Sequence, residues 1–435
     1  MERDEYLEQL LRRRGNGQVK VITGLRRCGK SYLLFTLFRG RLLAEGVPAD
    51  HIVSLALDDD EHAGLRDPRR LGEYLRERLA GLSGEVYLLL DEIQYCYRVR
   101  RPDVDESQVP PEDRDALYIT FYDVLNGLQR HANVDIYVTG SNSRMLSDDV
   151  LTIFRGRGDE VRVHPFSFAE FYRHVGGDRS EALEEYMAFG GMPQAVMERD
   201  EQTRRSYLRR LFETVYVRDL VEHSHLEDGE LLEGLLDALS SSVGSLTNPL
   251  KLSRTLTTAL RHPVGSGTVS RHLTALSQAY LFSAARRFDV RGKHYFETPY
   301  KLYAEDVGLR NARLNWRQSE PTHLMENILY NELVRRGHAV DVGVVEVESR
   351  QGHRETRQHE IDFIVNHGVQ RTYIQSAFSL DTPEKSSQEL LPFRHCHDAF
   401  RKMVVTWGGG RLWQDEEGIF HVGLIPFLLD ESILG

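Results

Sequence analysis

The chain has 435 residues, 40% hydrophobic and 28% charged, the composition of ordinary folded domains, and a length that suits about three of them. A net charge of −11 excludes a protein that coats nucleic acid with its whole surface, although one basic face stays open. No apolar run nears the roughly 20 residues of a membrane span, and three scattered cysteines without a Cys-x-x-Cys pair fit a reducing cytoplasm.

Met1 to Arg14 mixes acids, arginines and leucines without an apolar signal core, and reads as a short amphipathic helix. Five short β-rich runs follow, each with a mostly apolar core and alternating with helical patterns: 19–23, 52–57, 86–90, 135–139 and 160–164. Such alternation predicts a parallel sheet covered on both faces. The first run leads into Gly24-Leu25-Arg26-Arg27-Cys28-Gly29-Lys30-Ser31 and an apolar helix beginning at Tyr32. This is the G-x-x-x-x-G-K-[ST] pattern in its required strand–loop–helix setting. Glycines let backbone N–H groups curl around phosphate oxygens, and the helix N-terminus adds partial positive charge. Lys30 is expected to reach the β- and γ-phosphates of ATP, and the Ser31 hydroxyl to ligate magnesium.

The third run ends in Leu90-Asp91-Glu92. Asp91 is expected to hold magnesium, and Glu92 to act as general base on the attacking water. Residues 97–115, rich in Arg, Asp, Glu and Pro, read as a mobile surface insertion. The fourth run leads into Gly140-Ser141-Asn142-Ser143, small polar groups at the carboxyl edge of the sheet, where open α/β folds bind ligands. Asn142 or Ser141 either orients the water or senses the γ-phosphate, or else caps the helix starting near Ser143. Arg155 and Arg157 are candidates for an arginine acting on the γ-phosphate, against an ordinary surface role.

Carrying these motifs, the chain resembles a family of bacterial and archaeal AAA-type ATPases. The resemblance rests on Gly24 to Ser31, LDEIQ (90–94), TGSNSRML (139–146), PFSFAEF (165–171), FGGMP (189–193), YAEDVGLRN (303–311) and EIDF (360–363). It implies an α/β architecture: an AAA-like P-loop domain (1–165), a helical lid (166–229), a winged helix (230–310) and a PD-(D/E)xK nuclease-like domain (311–435).

The residues downstream allow those modules. In 266–281, Val269, Leu273, Leu276 and Tyr280 make one apolar helix face, leaving Arg271 and His272 off it. Lys251 to Leu260 supplies a preceding helix, and the β-rich stretch 282–306, with Arg286, Arg287, Arg291 and Lys293, a wing. Used on duplex DNA, those arginines grip phosphates; otherwise the module serves for packing. Glu326, Asp362, Gln375 and Ala377 follow the order of a nuclease core, with Gln375 in place of the second acid and Ala377 where the lysine belongs. An inactive nuclease fold is expected.

The sequence therefore points to an ATPase using ATP and magnesium, whose nucleotide state drives the C-terminal modules, with duplex DNA as a candidate partner. A slow nucleotide-dependent switch with a protein partner and an ATP-regulated nuclease are the alternatives, and self-association is left open.

Overall fold

The computed structural model describes residues 2–140, 158–217, 220–221, 229–318, 320–349, 355–368 and 370–434. Two compact units divide it, Met1–Val163 and His164–Gly435. No helix among the described residues is long and apolar enough to cross a membrane.

The first unit is built on five parallel strands: β1 (Val19–Thr23), β2 (Ile52–Ala56), β3 (Val86–Asp91), β4 (Val134–Thr139) and β5 (Gly158–Arg162). Their order is β2-β3-β4-β1-β5. β1, β3 and nearly all of β4 are buried, as mostly apolar runs require when both faces are covered, and two buried charges, Lys20 of β1 and Asp135 of β4, pair with each other. On one face Val21, Leu55, Leu88, Leu90 and Val138 pack with Leu71, Leu75 and Leu125 from two helices. On the other, the Phe38 ring lies 4.4 Å from that of Tyr137. β1 lies between β4 and β5 although β2 follows it in the chain, so the loop after β1 emerges where the strand order reverses. Ligands collect at that crevice in sheets of this kind.

The insertion is more ordered than its composition suggests. Val99–Arg100 pairs antiparallel with Tyr118–Ile119, short 3₁₀ turns fill 106–117, and Arg100 bridges to Glu106 at 2.9 Å. Closely spaced turn residues let this charged segment satisfy its own backbone without a core.

The second unit opens with helices Phe168–Val175 and Arg179–Phe189. Three of the sequence motifs meet in it. Gly191 N–H donates to Asp306 (2.7 Å), Phe166 N–H donates to Gly191 O (2.8 Å), and Asn311 Nδ2 donates to Met187 O (2.8 Å). A Cβ on Gly308 would fall 1.9 Å from Phe189 O, so only glycine fits that approach. These motifs hold this unit together.

Helices Pro249–Leu260 and Ser266–Gln278 precede a hairpin of β7 (Phe282–Asp289) and β8 (His294–Ala304), with β6 (Leu246–Thr247) on its outer edge. After helix Pro321–Arg335 come β9 (Ala339–Ser349), β10 (Glu355–His367), β11 (Gln370–Ala377), β12 (Arg401–Thr406), β13 (Trp413–Gln414) and β14 (Phe420–Gly423). All nine strands form one sheet, β13-β14-β12-β11-β10-β9-β7-β8-β6. The domain boundary expected at residue 310 is therefore crossed by hydrogen bonding: β9 pairs in parallel with β7, Gly343 opposite Phe288.

Candidate functional site

The loop after β1 combines three residues of positive φ, Gly24 (127°), Arg27 (65°) and Gly29 (100°). A Cβ on Gly24 would fall 2.0 Å from Val163 O, so this turn is closed to any other residue. Leu25 and Cys28 point into the core, with Cys28 Sγ 3.3 Å from Val163 O; they can meet a ligand only through their backbone. Arg27 and Tyr32 are exposed, Arg26 is half-buried, and Ser31 lies in the first turn of the helix that Lys30 opens.

Lys30 is 4% exposed, and its ammonium donates to Gly24 O and Leu25 O, each at 3.0 Å. Both partners are neutral carbonyls, and among the described residues no carboxylate pairs with this buried cation. This fits an anion such as a phosphate.

Across the sheet crevice, β3 brings Asp91 and β4 brings Thr139. The Thr139 hydroxyl donates to Asp91 Oδ1 and accepts the Glu92 N–H at 3.0 Å. Burial pushes the Asp91 carboxyl above its ordinary range, against hydrogen bonds to Thr139 and Ser31 that favour its charged form. Asp91 therefore joins the loop helix to the third and fourth strands. Glu92 sits in the left-handed region (φ 54°), rare for a residue with a side chain. Gln94 Nε2 donates to its carboxylate. Strain of this kind persists where the surroundings over-determine it.

The structure thus brings Lys30, Ser31, Asp91 and Glu92 to one edge of the sheet. Asn142, Arg155 and Arg157, with Ser141, lie outside the described residues. Thr139 is a participant that sequence reasoning misses, because from sequence it is only the last residue of a strand. Its one signal is a hydroxyl at the carboxyl edge, one step before the polar run.

The nuclease-like cluster needs a correction. Ala377 is buried and carries no charge, but a lysine reaches the acids from another strand. Lys301 Nζ on β8 lies 2.7 Å from Glu326 Oε1, 2.6 Å from Glu360 Oε1 and 3.7 Å from Asp362 Oδ1. Tyr303 OH donates to Glu326 (2.6 Å), Ser376 N–H to Asp362 (2.8 Å), and Gln375 Nε2 to Glu389 (3.1 Å). Burial opposes charge on Lys301, yet Glu326, Asp362 and Glu360 outweigh it and hold the ammonium above its usual range. Burial, then the nearby Glu326, pushes the Asp362 carboxyl up to about 8. Nothing in the spacing of Lys301 from these acids announces it.

The basic stretch needs a second correction. Arg287 is buried, its guanidinium over the Phe296 ring and bonded to Gln358 Oε1 (2.8 Å); Arg291 donates to Glu346 O (2.7 Å). Both hold the hairpin to the sheet. His272, expected off the apolar face, is buried with its Nδ1 2.9 Å from Thr268 O. Arg271 and Arg286 are exposed.

Family comparison agrees with the first unit. Residues 16–172 match an AAA domain, and 180–320 match a domain of unknown function (DUF8612). An uncharacterised protein of Haemophilus influenzae is 30% identical over 434 residues, spanning 98% of both chains. Uncharacterised protein MJ1544 of Methanocaldococcus jannaschii is 25% identical, over 85% of this chain and 77% of its own. Among solved structures, the Aeropyrum pernix ORC1 protein in complex with DNA covers 72% of this chain and 92% of its own, at 15% identity and a TM-score of 0.28, too slight to argue from.

Proposed function

Because the chain belongs to the family of the full-length Haemophilus influenzae relative and holds an AAA-type P-loop domain, we propose that it hydrolyses ATP with magnesium and uses nucleotide state to rearrange its C-terminal modules. One observation carries the reading: the buried Lys30 ammonium, held among the described residues by two neutral carbonyls, in a loop bent by three residues of positive φ.

In this reading Lys30 exchanges its two carbonyls for β- and γ-phosphate oxygens, while N–H groups of 24–31 cradle the same phosphates. Ser31 and Asp91 hold the magnesium, which when bound spreads the phosphate charge. Glu92, fixed by Thr139 and Gln94, accepts a proton from the water whose oxygen attacks the γ-phosphorus; the bond to the β–γ bridging oxygen breaks, and ADP leaves with that electron pair. Asn142 and Arg157 remain proposed for water orientation and γ-phosphate charge.

Duplex DNA is the partner proposed for the second unit, through the polar outer side of helix Ser266–Gln278, with Arg271, and the exposed Arg286 of β7. The acid cluster is proposed to cut nothing, because Lys301 already satisfies the carboxylates a metal would need.

Binding of a fluorescent ATP analogue and release of phosphate test the core claim. Lys30→Ala should lose most affinity, since a charge-assisted hydrogen bond contributes about 1.5–3 kcal/mol. Glu92→Gln should bind normally and hydrolyse about 10²- to 10⁴-fold more slowly. Wild-type behaviour in both variants would remove the assignment.

A further inference from the structure

At the carboxyl ends of β11, β12 and β14, three mutually parallel strands, a cavity of about 490 Å³ opens between the segments 378–381 and 406–413. Its size suits a ligand of one or two rings, and its place is where open α/β sheets bind ligands. It belongs to neither the P-loop nor the acid cluster.

Two pairs of aromatic planes line it. Phe378 and Trp407 stack at 5.5 Å and 22°, and Trp413 stacks on His421 at 4.5 Å and 15°. Trp413 is 56% exposed, so His421 backs one side of the indole while much of it stays open. The planes are held in advance. His421 Nε2 lies 2.8 Å from Asp415, which also accepts the Ile419 and Glu417 N–H groups and so fixes the turn after β13. The glycine loop 408–410 is seated tightly: Gly423 N–H donates to Gly410 O (2.8 Å), and a Cβ on Gly409 would fall 2.3 Å from Thr406 Oγ1.

Charge narrows the ligand. Among the described residues lining the cavity there is no lysine or arginine, and Asp381 contributes a carboxylate. An anionic group is disfavoured inside; a planar ring with amino groups is favoured, since a carboxylate accepts hydrogen bonds from exocyclic amines as it does from cytosine N4. Outside, Lys385 is exposed with Nζ 3.1 Å from Ser379 Oγ, and Arg411 is exposed in the loop. Cations there suit a phosphodiester that stays in solvent while its base enters.

We propose that this cavity binds a nucleobase by stacking on Trp413, with Asp381 reading the amino-bearing edge. The base has two sources, a free nucleoside or an unpaired position in single-stranded nucleic acid.

The full chain is titrated with cytidine, adenosine and thymidine by calorimetry, and with labelled dC, dA and dT oligonucleotides, single-stranded and duplex, by anisotropy. Nucleosides lack the phosphates that the P-loop would grip. Trp413→Ala should weaken binding about tenfold or more, the ordinary cost of a lost base–aromatic stack. Trp413→Phe should keep most of it, and Asp381→Asn should reduce the preference for cytosine or adenine over thymine. Nucleosides binding alone assign the free source; single strands binding where nucleosides do not assign the nucleic-acid source. No binding by either, or binding that Trp413→Ala and Trp407→Ala leave unchanged in folded protein, overturns the proposal.

Discussion

The Lys301 ammonium lies 2.7 Å from Glu326 Oε1, joining a strand of the hairpin to the helix Pro321–Arg335. Lys301 is 4% exposed and the Glu326 side chain 13%, so the ammonium is cut off from water and the carboxylate largely so.

Removing one partner of such a pair should cost far more than removing both. Lys301→Met is expected to destabilise the second unit by about 3–5 kcal/mol, because it leaves buried carboxylates uncompensated. The pair Lys301→Met with Glu326→Gln should recover a substantial part of that loss. Urea unfolding followed by tryptophan fluorescence reads both; additive losses would mean the two groups do not interact.

Asp362 makes stability depend on pH. Its folded-state value is raised to about 8, above the ordinary 3.8. Below pH 4 the folded and unfolded chains both carry its proton; between about 4 and 8 only the folded chain does. Stability from this group should therefore fall as pH rises through that window, by at most about 1.4 kcal/mol per pH unit, and level off above 8. Asp362→Asn should flatten the slope of urea midpoint against pH, and an unchanged slope would refute the assignment.

Thr139 ties Asp91 to the Glu92 backbone, so Thr139→Val keeps the shape and removes both hydrogen bonds. We expect ATP binding within about threefold of wild type and a hydrolysis rate lower by about 10- to 100-fold, a barrier change of roughly 1.4–2.7 kcal/mol. Equal losses of binding and rate would show a general disruption of the loop.

For DNA, Arg271→Ala with Arg286→Ala should weaken duplex binding and lower the slope of log affinity against log salt by about 0.9 for each phosphate that is no longer neutralised. Arg287 is a poor probe, because its burial against Phe296 makes its loss a stability effect. Absence of duplex binding by the wild type at low salt would leave the helix a packing element.

What can be read from sequence is what lies close together in it. The loop 24–31 follows its strand and opens its helix without interruption, and Asp91-Glu92 ends an apolar run, so neighbouring residues carry both patterns. Thr139 reads only as the last residue of its strand, because its partners, Asp91 and Glu92, come from the end of another. Lys301 is invisible for a stronger reason. It meets Glu360 and Asp362 through a sheet in which β8 pairs with β7, β7 with β9 and β9 with β10, and no residue spacing encodes that register. His272 is misjudged by helical periodicity, which ranks faces by apolarity and overlooks an imidazole that bonds to its own helix.

The nine-stranded sheet makes the second unit indivisible. A polypeptide ending near residue 310 would keep β7 and β8 but lose β9, baring a row of backbone donors and acceptors along 287–289. Bare edges recruit strands from other molecules. The reciprocal piece, beginning near 311, would expose β9 on the same seam and would also lack Lys301, leaving its acids to repel one another. Both fragments should therefore precipitate or misassociate when expressed apart, and should recover together. A chimaera that takes either half from a relative should meet the same seam, and should fold only when the neighbouring half is carried along with it.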